Sequence, residues 1–282
     1  MQRRLQRWLP TIFFVAAFVL FFGGVCLHPV VRKYLRGRKS LVVYDTARHE
    51  NGVLVETISD SPRIQVFHKL LTRTECDHII SLGKAKGLKT ARVSTTGDQD
   101  ADHIYNEART NTASWLDYAQ DEIVQKLEQR LADLTDTEPD NGEAFQVLKY
   151  SPGQKFDPHF DMDDPDEDPP EAFALGGNRL VTVLVYLRKP VEGGETSFPK
   201  LGLSVVGDAG DAVAFWNLQD DGLPDWRTLH AGLPPIQGEK WVATKWIHQG
   251  SYQGPLKEAI KANLLRLGEP SDNVGADSPP IK

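Results

Sequence analysis

A short β-rich run, a polar turn and two potential metal ligands follow one another in QVLKYSPGQKFDPHFD (146–161). His159 and Asp161 are two positions apart, so on an extended strand their side chains point to the same face. A third potential ligand, His230, lies far downstream in TLHAGLPP. Two imidazoles and one carboxylate, with the other positions open, are the usual ligands by which proteins hold Fe(II) for oxygen chemistry. The sequence therefore predicts an iron site formed by these three residues.

Several strands are predicted on either side of His159. Runs rich in β-branched and aromatic residues are QVLKY (146–150), RLVTVLVYL (179–187), DAVAFWN (211–217) and KWVATKWI (240–247). Gly, Pro and Asp turns separate them, which is the pattern of short strands. Because there is no repeating βαβ pattern, helices followed by such strands indicate an α+β domain built around a barrel or jelly roll.

Two helices are predicted before the strands. Thr72 and Glu75 form a capping-box pattern at the start of ECDHIISLGKAKG, which ends at a glycine. A second helix is expected throughout SWLDYAQDEIVQKLEQRLADL (114–134), where Leu116 begins an apolar stripe. A third, PLKEAIKANLLRL, is expected near the C-terminus.

The composition is that of an ordinary globular protein of 282 residues, with 40% apolar and 25% charged side chains. A net charge of −7 argues against nucleic acid as a partner, since phosphate binding needs a basic face. The only two cysteines are Cys26, in an apolar segment, and Cys76, in a predicted helix. No internal disulfide framework is therefore expected.

The N-terminal region is predicted to hold a transmembrane signal-anchor over residues 11–31, preceded by a short tail (1–10). No residue between Arg7 and Arg32 carries a full charge, and this length suffices to cross a hydrocarbon core of about 30 Å as a helix. The alternative is a cleaved signal peptide, for which the glycines at 23–24 offer a poor cleavage site. The basic residues after the span outnumber those before it, which favours a cytosolic C-terminal side.

The remaining chain is divided by changes in composition. A basic and then polar stem is expected over 32–62, a folded domain over 63–254, and a C-terminal helix with a disordered tail over 255–282. No internal repeat is present.

A set of longer motifs adds a family resemblance to these observations. The order His159–Asp161, GGNRLVTVLVYL (176–187), GGETSFP (193–199), GDAVAFWN (210–217), His230 and GEKWVATKWIH (238–248) resembles that of membrane-anchored prolyl 4-hydroxylases. These enzymes belong to the Fe(II)/2-oxoglutarate-dependent dioxygenases, and the resemblance covers about residues 63–250. It implies a double-stranded β-helix (jelly-roll) core with flanking N-terminal helices.

The resemblance also implies roles for side chains around the iron. Lys240 is expected to pair with the distal carboxylate of the co-substrate 2-oxoglutarate through a charge-assisted hydrogen bond. Tyr150, Thr182 and Trp246 are expected to line the same pocket. Lys245 lies in the same strand without matching a motif, and is therefore expected to be a neutral control.

On the substrate side, the resemblance assigns Phe156, Arg179 and His248 to peptide binding. Phe156 stands where the family carries a tyrosine, three residues before the first ligand, and this loss of a hydroxyl leaves the peptide preference open.

The function implied is hydroxylation of peptidyl proline to 4-hydroxyproline in secretory-pathway proteins, with Fe(II), 2-oxoglutarate, O2 and L-ascorbate, releasing succinate and CO2. The family implies a single-pass type II protein of the endoplasmic reticulum or Golgi membrane with a lumenal catalytic domain, against the charge count above. Alternatives are the same chemistry on another peptidyl residue or a small molecule, a catalytically silent membrane-tethered binding protein, and a hydrolytic zinc enzyme, which would leave the Lys240 motif unexplained.

Overall fold

The computed structural model describes residues 45–49, 52–91 and 107–258. Two long α-helices lie in these ranges, α1 (Arg73–Lys86) and α2 (Glu122–Thr135), together with a short helical segment over 253–258. The strands are β1 (Asp45–Arg48), β2 (Leu54–Asp60), β3 (Arg63–His68), β4 (Lys89–Thr90), β5 (Thr112–Trp115), β6 (Gln146–Tyr150), β7 (Phe156–His159), β8 (Arg179–Arg188), β9 (Glu192–Gly193), β10 (Thr196–Phe198), β11 (Leu203–Val205), β12 (Ala212–Trp216), β13 (His230–Gly232), β14 (Pro235–Gln237) and β15 (Lys240–His248). Short 3-10 helices span Pro139–Asn141, Pro170–Phe173 and Trp226–Thr228.

The strands form a large sheet, a small sheet and a two-stranded ribbon. The large sheet has the order β1-β2-β3-β12-β8-β15-β6-β5-β4, the small sheet β11-β10-β13-β7, and the ribbon β14-β9. One apolar cluster joins Tyr186, Phe215 and Val242 of the large sheet to Phe198 and Val205 of the small sheet. The two sheets therefore pack face to face, which confirms the predicted jelly-roll-like, sheet-rich core with additional helices.

Side chains alternate along the central strands and so build two separate cores. In β8, Val181, Val183 and Val185 pack in a cluster with residues of both helices, while Tyr186 packs toward the small sheet. The period of two residues along a strand causes this division. Function-bearing side chains on the second face consequently lie between the sheets.

The first predicted helix agrees with the structure, and the second begins later than predicted. Thr72 caps α1 with a complete capping box, in which Glu75 contributes the reciprocal side chain. The N-cap of α2 is Asp121, whose carboxylate accepts from two backbone N–H groups of the first turn. Ser114 belongs to β5 and pairs with β6, so Leu116 is a buried residue before the helix rather than part of its stripe. The predicted start of the helix was wrong because the first residues of the segment pair with β6 as part of strand β5.

The predicted stem also contains structure. Strands β1 and β2 lie within 32–62, and β2 pairs with β3 along one edge of the large sheet. The folded part of the chain thus begins before the boundary predicted at residue 63. At the other end, helix is present over 253–258.

The predicted anchor (11–31), the tail (1–10) and the C-terminal tail after residue 258 lie outside the described residues. None of the helices within the described ranges has the length and apolar character needed to cross a bilayer.

Candidate active site

The structure brings the three predicted metal ligands together. His159 ends β7, Asp161 follows two residues later, and His230 begins β13, where it pairs directly with His159. Asp161 Oδ1 lies 3.7 Å from His159 Nε2, and Asp161 Oδ2 lies 3.5 Å from His230 Nε2. One ligand atom from each residue falls within 4.8 Å of the others, which is the separation expected around a single ion.

Backbone carbonyls fix the orientation of both imidazoles. His159 Nδ1 lies 2.8 Å from the carbonyl oxygen of Asp157, and His230 Nδ1 lies 3.1 Å from that of Thr228. A carbonyl only accepts, so each Nδ1 carries the proton and each Nε2 keeps a free lone pair. This arrangement is typical of metal-binding histidines.

The protonation states at the site suit a metal. Burial lowers the pKa of His159, which keeps this imidazole neutral at physiological pH. Burial by itself would raise the pKa of Asp161, but the neighbouring His230 and His159 hold it below the usual range for an aspartate. A neutral imidazole beside an ionised carboxylate is the state in which both bind a metal.

A pocket between the two sheets opens onto these ligands. Its walls include Arg109, Tyr150, Phe156, Thr196, Lys240 and Trp246. Phe156 stacks on the ring of His159 at a centroid distance of 3.5 Å, and so covers one side of the metal site.

Lys240 supplies a buried positive charge to the pocket. The residue is 2% exposed, and its Nζ lies 5.3 Å from the ring of Tyr150 and 5.7 Å from that of Tyr186. Among the described residues it forms no salt bridge, and burial lowers its pKa to about 8. A buried ammonium group with no paired carboxylate is a binding site for an anionic ligand.

Further polar groups in the pocket fit a carboxylate ligand. Thr244 Oγ1 and Trp246 Nε1 are both buried without a hydrogen-bond partner among the described residues, and both residues line the pocket. Burial raises the pKa of Tyr150 to about 12, so its phenol stays protonated and can donate. Buried donors are normally satisfied, and a dicarboxylate such as 2-oxoglutarate would satisfy them.

Thr182 does not occupy the place predicted for it. It is wholly buried, lies outside the pocket wall, and donates from Oγ1 to Asp161 Oδ2 at 2.8 Å. Besides Thr244, the threonine that lines the pocket is Thr196, whose Oγ1 lies 3.1 Å from the hydroxyl of Tyr186. Both residues lie in the motifs quoted above, and only the pairing of strands distinguishes their positions.

His248 lies in a buried network rather than at an exposed rim, and the half-buried Arg179 belongs to the same network. Arg179 Nε donates to Glu143 Oε1 at 2.7 Å, and its Nη1 donates to the carbonyl oxygen of Asp161 at 3.0 Å. His248 is 4% exposed, with Nε2 3.0 Å from the same Glu143 oxygen. His248 is the last residue of β15, which is buried along its whole length, and for this reason His248 is enclosed. The network supports the backbone of the metal ligand Asp161.

Sequence reasoning missed Arg109, Gln146 and Glu143. Arg109 is 8% exposed, donates from Nη2 to Gln146 Oε1 at 2.7 Å, and places its guanidinium 4.5 Å from the ring centroid of Phe156. It stands at the end of a polar segment with no periodic pattern, so its position beside the pocket had no local signal.

Lys245, the expected neutral control, is a structural residue. It is 2% exposed, and its Nζ lies 2.8 Å from Glu128 Oε1 on α2. Its substitution would disturb the fold, because a buried charge would lose its partner.

The comparisons with known proteins agree with this geometry. Residues 145–248 match the 2OG-Fe(II) oxygenase superfamily. The chain is 38% identical over 217 residues to "Probable prolyl 4-hydroxylase 8" of Arabidopsis thaliana, covering 70% of this chain and 72% of the relative. It is 37% identical over 223 residues to "Prolyl 4-hydroxylase 2" of the same plant, covering 72% of each. The chain belongs to the prolyl 4-hydroxylase family.

A solved structure supports this membership of the prolyl 4-hydroxylase family. The viral collagen prolyl hydroxylase of Paramecium Bursaria Chlorella virus-1, in its 2OG complex, matches with a TM-score of 0.53 and 30% identity, over 65% of this chain and 94% of the viral one. The protein is thus a 2-oxoglutarate-dependent oxidoreductase that uses Fe(II), 2-oxoglutarate and O2. His159, Asp161 and His230 are the residues that would hold the iron.

Proposed function

We propose that this enzyme hydroxylates proline residues of peptides or proteins to 4-hydroxyproline. The observation that carries the proposal is a buried lysine, Lys240, which forms no salt bridge within the described part of the chain and lies in the same pocket as three converging metal ligands. The names of the relatives, which are prolyl 4-hydroxylases, supply the substrate class.

Different residues of the pocket bind the co-substrate and exclude water. When bound, iron, 2-oxoglutarate and O2 together supply the oxidation of a C–H bond, with succinate and CO2 as the proposed products. Lys240 and Tyr150 bind the distal carboxylate of 2-oxoglutarate, because one offers a charge and the other a protonated hydroxyl. The apolar side chains of Phe156 and Trp246 keep water from the reacting centre.

An aromatic surface next to the pocket fits a proline-rich substrate. Trp115 is 46% exposed and packs against the pocket residue Trp246 at a centroid distance of 5.9 Å. Extended polyproline II segments bind aromatic surfaces with little loss of conformational entropy. The pair therefore offers a place for the peptide on one side of the reacting proline.

The cellular setting belongs to the same proposal. We propose an N-terminal anchor over 11–31 and a catalytic domain in the lumen of the endoplasmic reticulum or Golgi, with L-ascorbate as the reductant that restores Fe(II). The uncharged apolar run between Arg7 and Arg32 supports the anchor, and the family supports the lumenal side. Retention in membranes after alkaline carbonate washing, with protection of the domain from protease in sealed microsomes, tests both parts.

The activity is tested by measuring succinate release and peptide hydroxylation together. Proline-rich peptides should increase succinate release over the peptide-free rate, and mass spectrometry should locate the new hydroxyl at C4 of proline. The matched control replaces proline by alanine in the same peptide, and His230→Ala should abolish both signals. Hydroxylation of the alanine peptide at another residue, or no stimulation by any proline peptide, contradicts the proposed substrate.

A further inference from the structure

A line of buried hydrogen bonds ends on the metal-ligand carboxylate. Asn217 Nδ2 donates to Thr182 Oγ1 at 3.0 Å, and Thr182 Oγ1 donates to Asp161 Oδ2 at 2.8 Å. Asn217 and Thr182 are both 0% exposed. Thr182 lies in β8, and Asn217 directly follows β12, the strand that pairs with β8. Neither side chain lines the pocket.

The direction of each hydrogen bond follows from the number of available protons. An ionised carboxylate only accepts, so the single hydroxyl proton of Thr182 must point to Asp161. The hydroxyl oxygen of Thr182 is then free to accept a hydrogen bond, and the side-chain amide of Asn217 donates it. Without that amide, the hydroxyl of Thr182 would be freer to rotate away from Asp161.

The amide of Asn217 is only half satisfied. Its Oδ1 is buried without a partner among the described residues, whereas its backbone N–H and carbonyl both form hydrogen bonds, to Leu180 and Asp225. A buried polar atom without a partner destabilises a fold. An asparagine serving only to fill space here would be a poor choice, so its function lies in the Nδ2 donor.

We propose that Asn217 and Thr182 are positioning residues that set the orientation of the Asp161 carboxylate toward the metal. Thr182, itself held by Asn217, donates to Oδ2 of Asp161, while Arg179 donates to the backbone carbonyl of Asp161. With both ends fixed, the carboxylate cannot rotate when a metal binds or leaves. Partners of this kind commonly tune the affinity of metal ligands.

The test measures metal binding without turnover. The full-length protein is titrated with Co(II) alone, whose visible absorption reports the ligand geometry, and the melting temperature of each metal-free variant is recorded. Thr182→Val keeps the shape but removes the hydroxyl, and should weaken Co(II) binding about ten- to a hundredfold. Thr182→Ser, which keeps the hydroxyl, should restore both affinity and spectrum. The matched control is Thr135→Val on α2, where another buried hydroxyl donates to the backbone carbonyl of Leu131, four residues earlier in the same helix. This substitution should change stability alone.

A double-mutant cycle tests whether the effect of Asn217 on metal binding depends on Thr182. Asn217→Leu should weaken Co(II) binding in the wild-type background and add nothing to Thr182→Val, because it acts only through that hydroxyl. Asn217→Asp should also weaken binding, since it removes the donor and competes for the hydroxyl proton. Wild-type affinity in Thr182→Val or in Asn217→Asp, or an equal loss from Asn217→Leu in both backgrounds, overturns the proposal.

Discussion

Lys240 and Lys245 extend from opposite faces of the same strand, β15. The Nζ of Lys240 lies in the pocket 5.3 Å from the ring of Tyr150, whereas that of Lys245 lies 2.8 Å from Glu128 Oε1 on α2. An odd separation along a strand puts two side chains on opposite faces. One lysine is therefore available to an anionic ligand, and the other is used to join the sheet to a helix.

Substitution of Lys240 should mainly affect 2-oxoglutarate binding. Lys240→Ala removes a charge-assisted hydrogen bond that contributes about 1.5–3 kcal/mol, which corresponds to a roughly ten- to hundredfold higher concentration of 2-oxoglutarate for half-maximal rate. The concentration of peptide needed should change little. Lys149→Ala is the matched control, because Lys149 pairs with Glu239 at 2.7 Å and does not line the pocket. Equal 2-oxoglutarate dependence in the two variants would show that Lys240 has no role in binding it.

The affinity for 2-oxoglutarate should fall at alkaline pH. Burial lowers the pKa of Lys240 to about 8, so the cation that pairs with the co-substrate is present below this pH and is lost above it. The KM for 2-oxoglutarate, measured as a function of pH, should begin to rise near the pKa of Lys240. Lys240→Arg stays charged over the whole range, so its KM should be higher but should no longer rise there. A wild-type KM that is flat with pH would contradict this role.

The Lys245–Glu128 ion pair should be important for stability but not for co-substrate binding. Lys245→Met leaves Glu128 buried without its partner, which should cost about 3–5 kcal/mol of unfolding free energy. The double variant Lys245→Met with Glu128→Leu removes both charges and should recover most of the loss. Denaturation by urea measures each variant. A single variant as stable as wild type would mean that the pair is not desolvated as the structure shows.

His68 should make the stability of the protein decrease at alkaline pH. The neighbouring carboxylates of Asp211, 3.7 Å from Nδ1, and of Glu56 raise the pKa of His68 from 6.5 to about 9. Its Nε2 lies 2.8 Å from Glu56 Oε2, which joins β3 to β2. The stabilisation is fully present below pH 6.5 and is lost as pH rises through about 9. Urea unfolding across this range should show the decrease, and His68→Gln should flatten it; an unchanged slope in the variant would rule out His68 as the cause.

The pair His159 and Asp161 could be predicted from the sequence because their signal is local, and Lys240 because its motif resembles that of the prolyl 4-hydroxylases. His159 and Asp161 share one face through their spacing of two residues, and Lys240 follows from a motif within a strand. The start of α1 was equally readable, since Thr72 and Glu75 cap it within four residues. Alternation along a strand needs no knowledge of the rest of the fold.

Which residues meet across strands was decided by the tertiary structure alone. The pairing of β13 with β7 places His230 opposite His159, and the packing of β8 puts Thr182 behind Asp161 while Thr196 faces the pocket. The pairing of β5 with β6 made Ser114 part of a strand and shortened the predicted second helix. A sequence determines the face on which each side chain lies because the backbone repeats every two residues. The partner on that face depends on which distant strand packs against it, and that is fixed only when both sheets close around their common core.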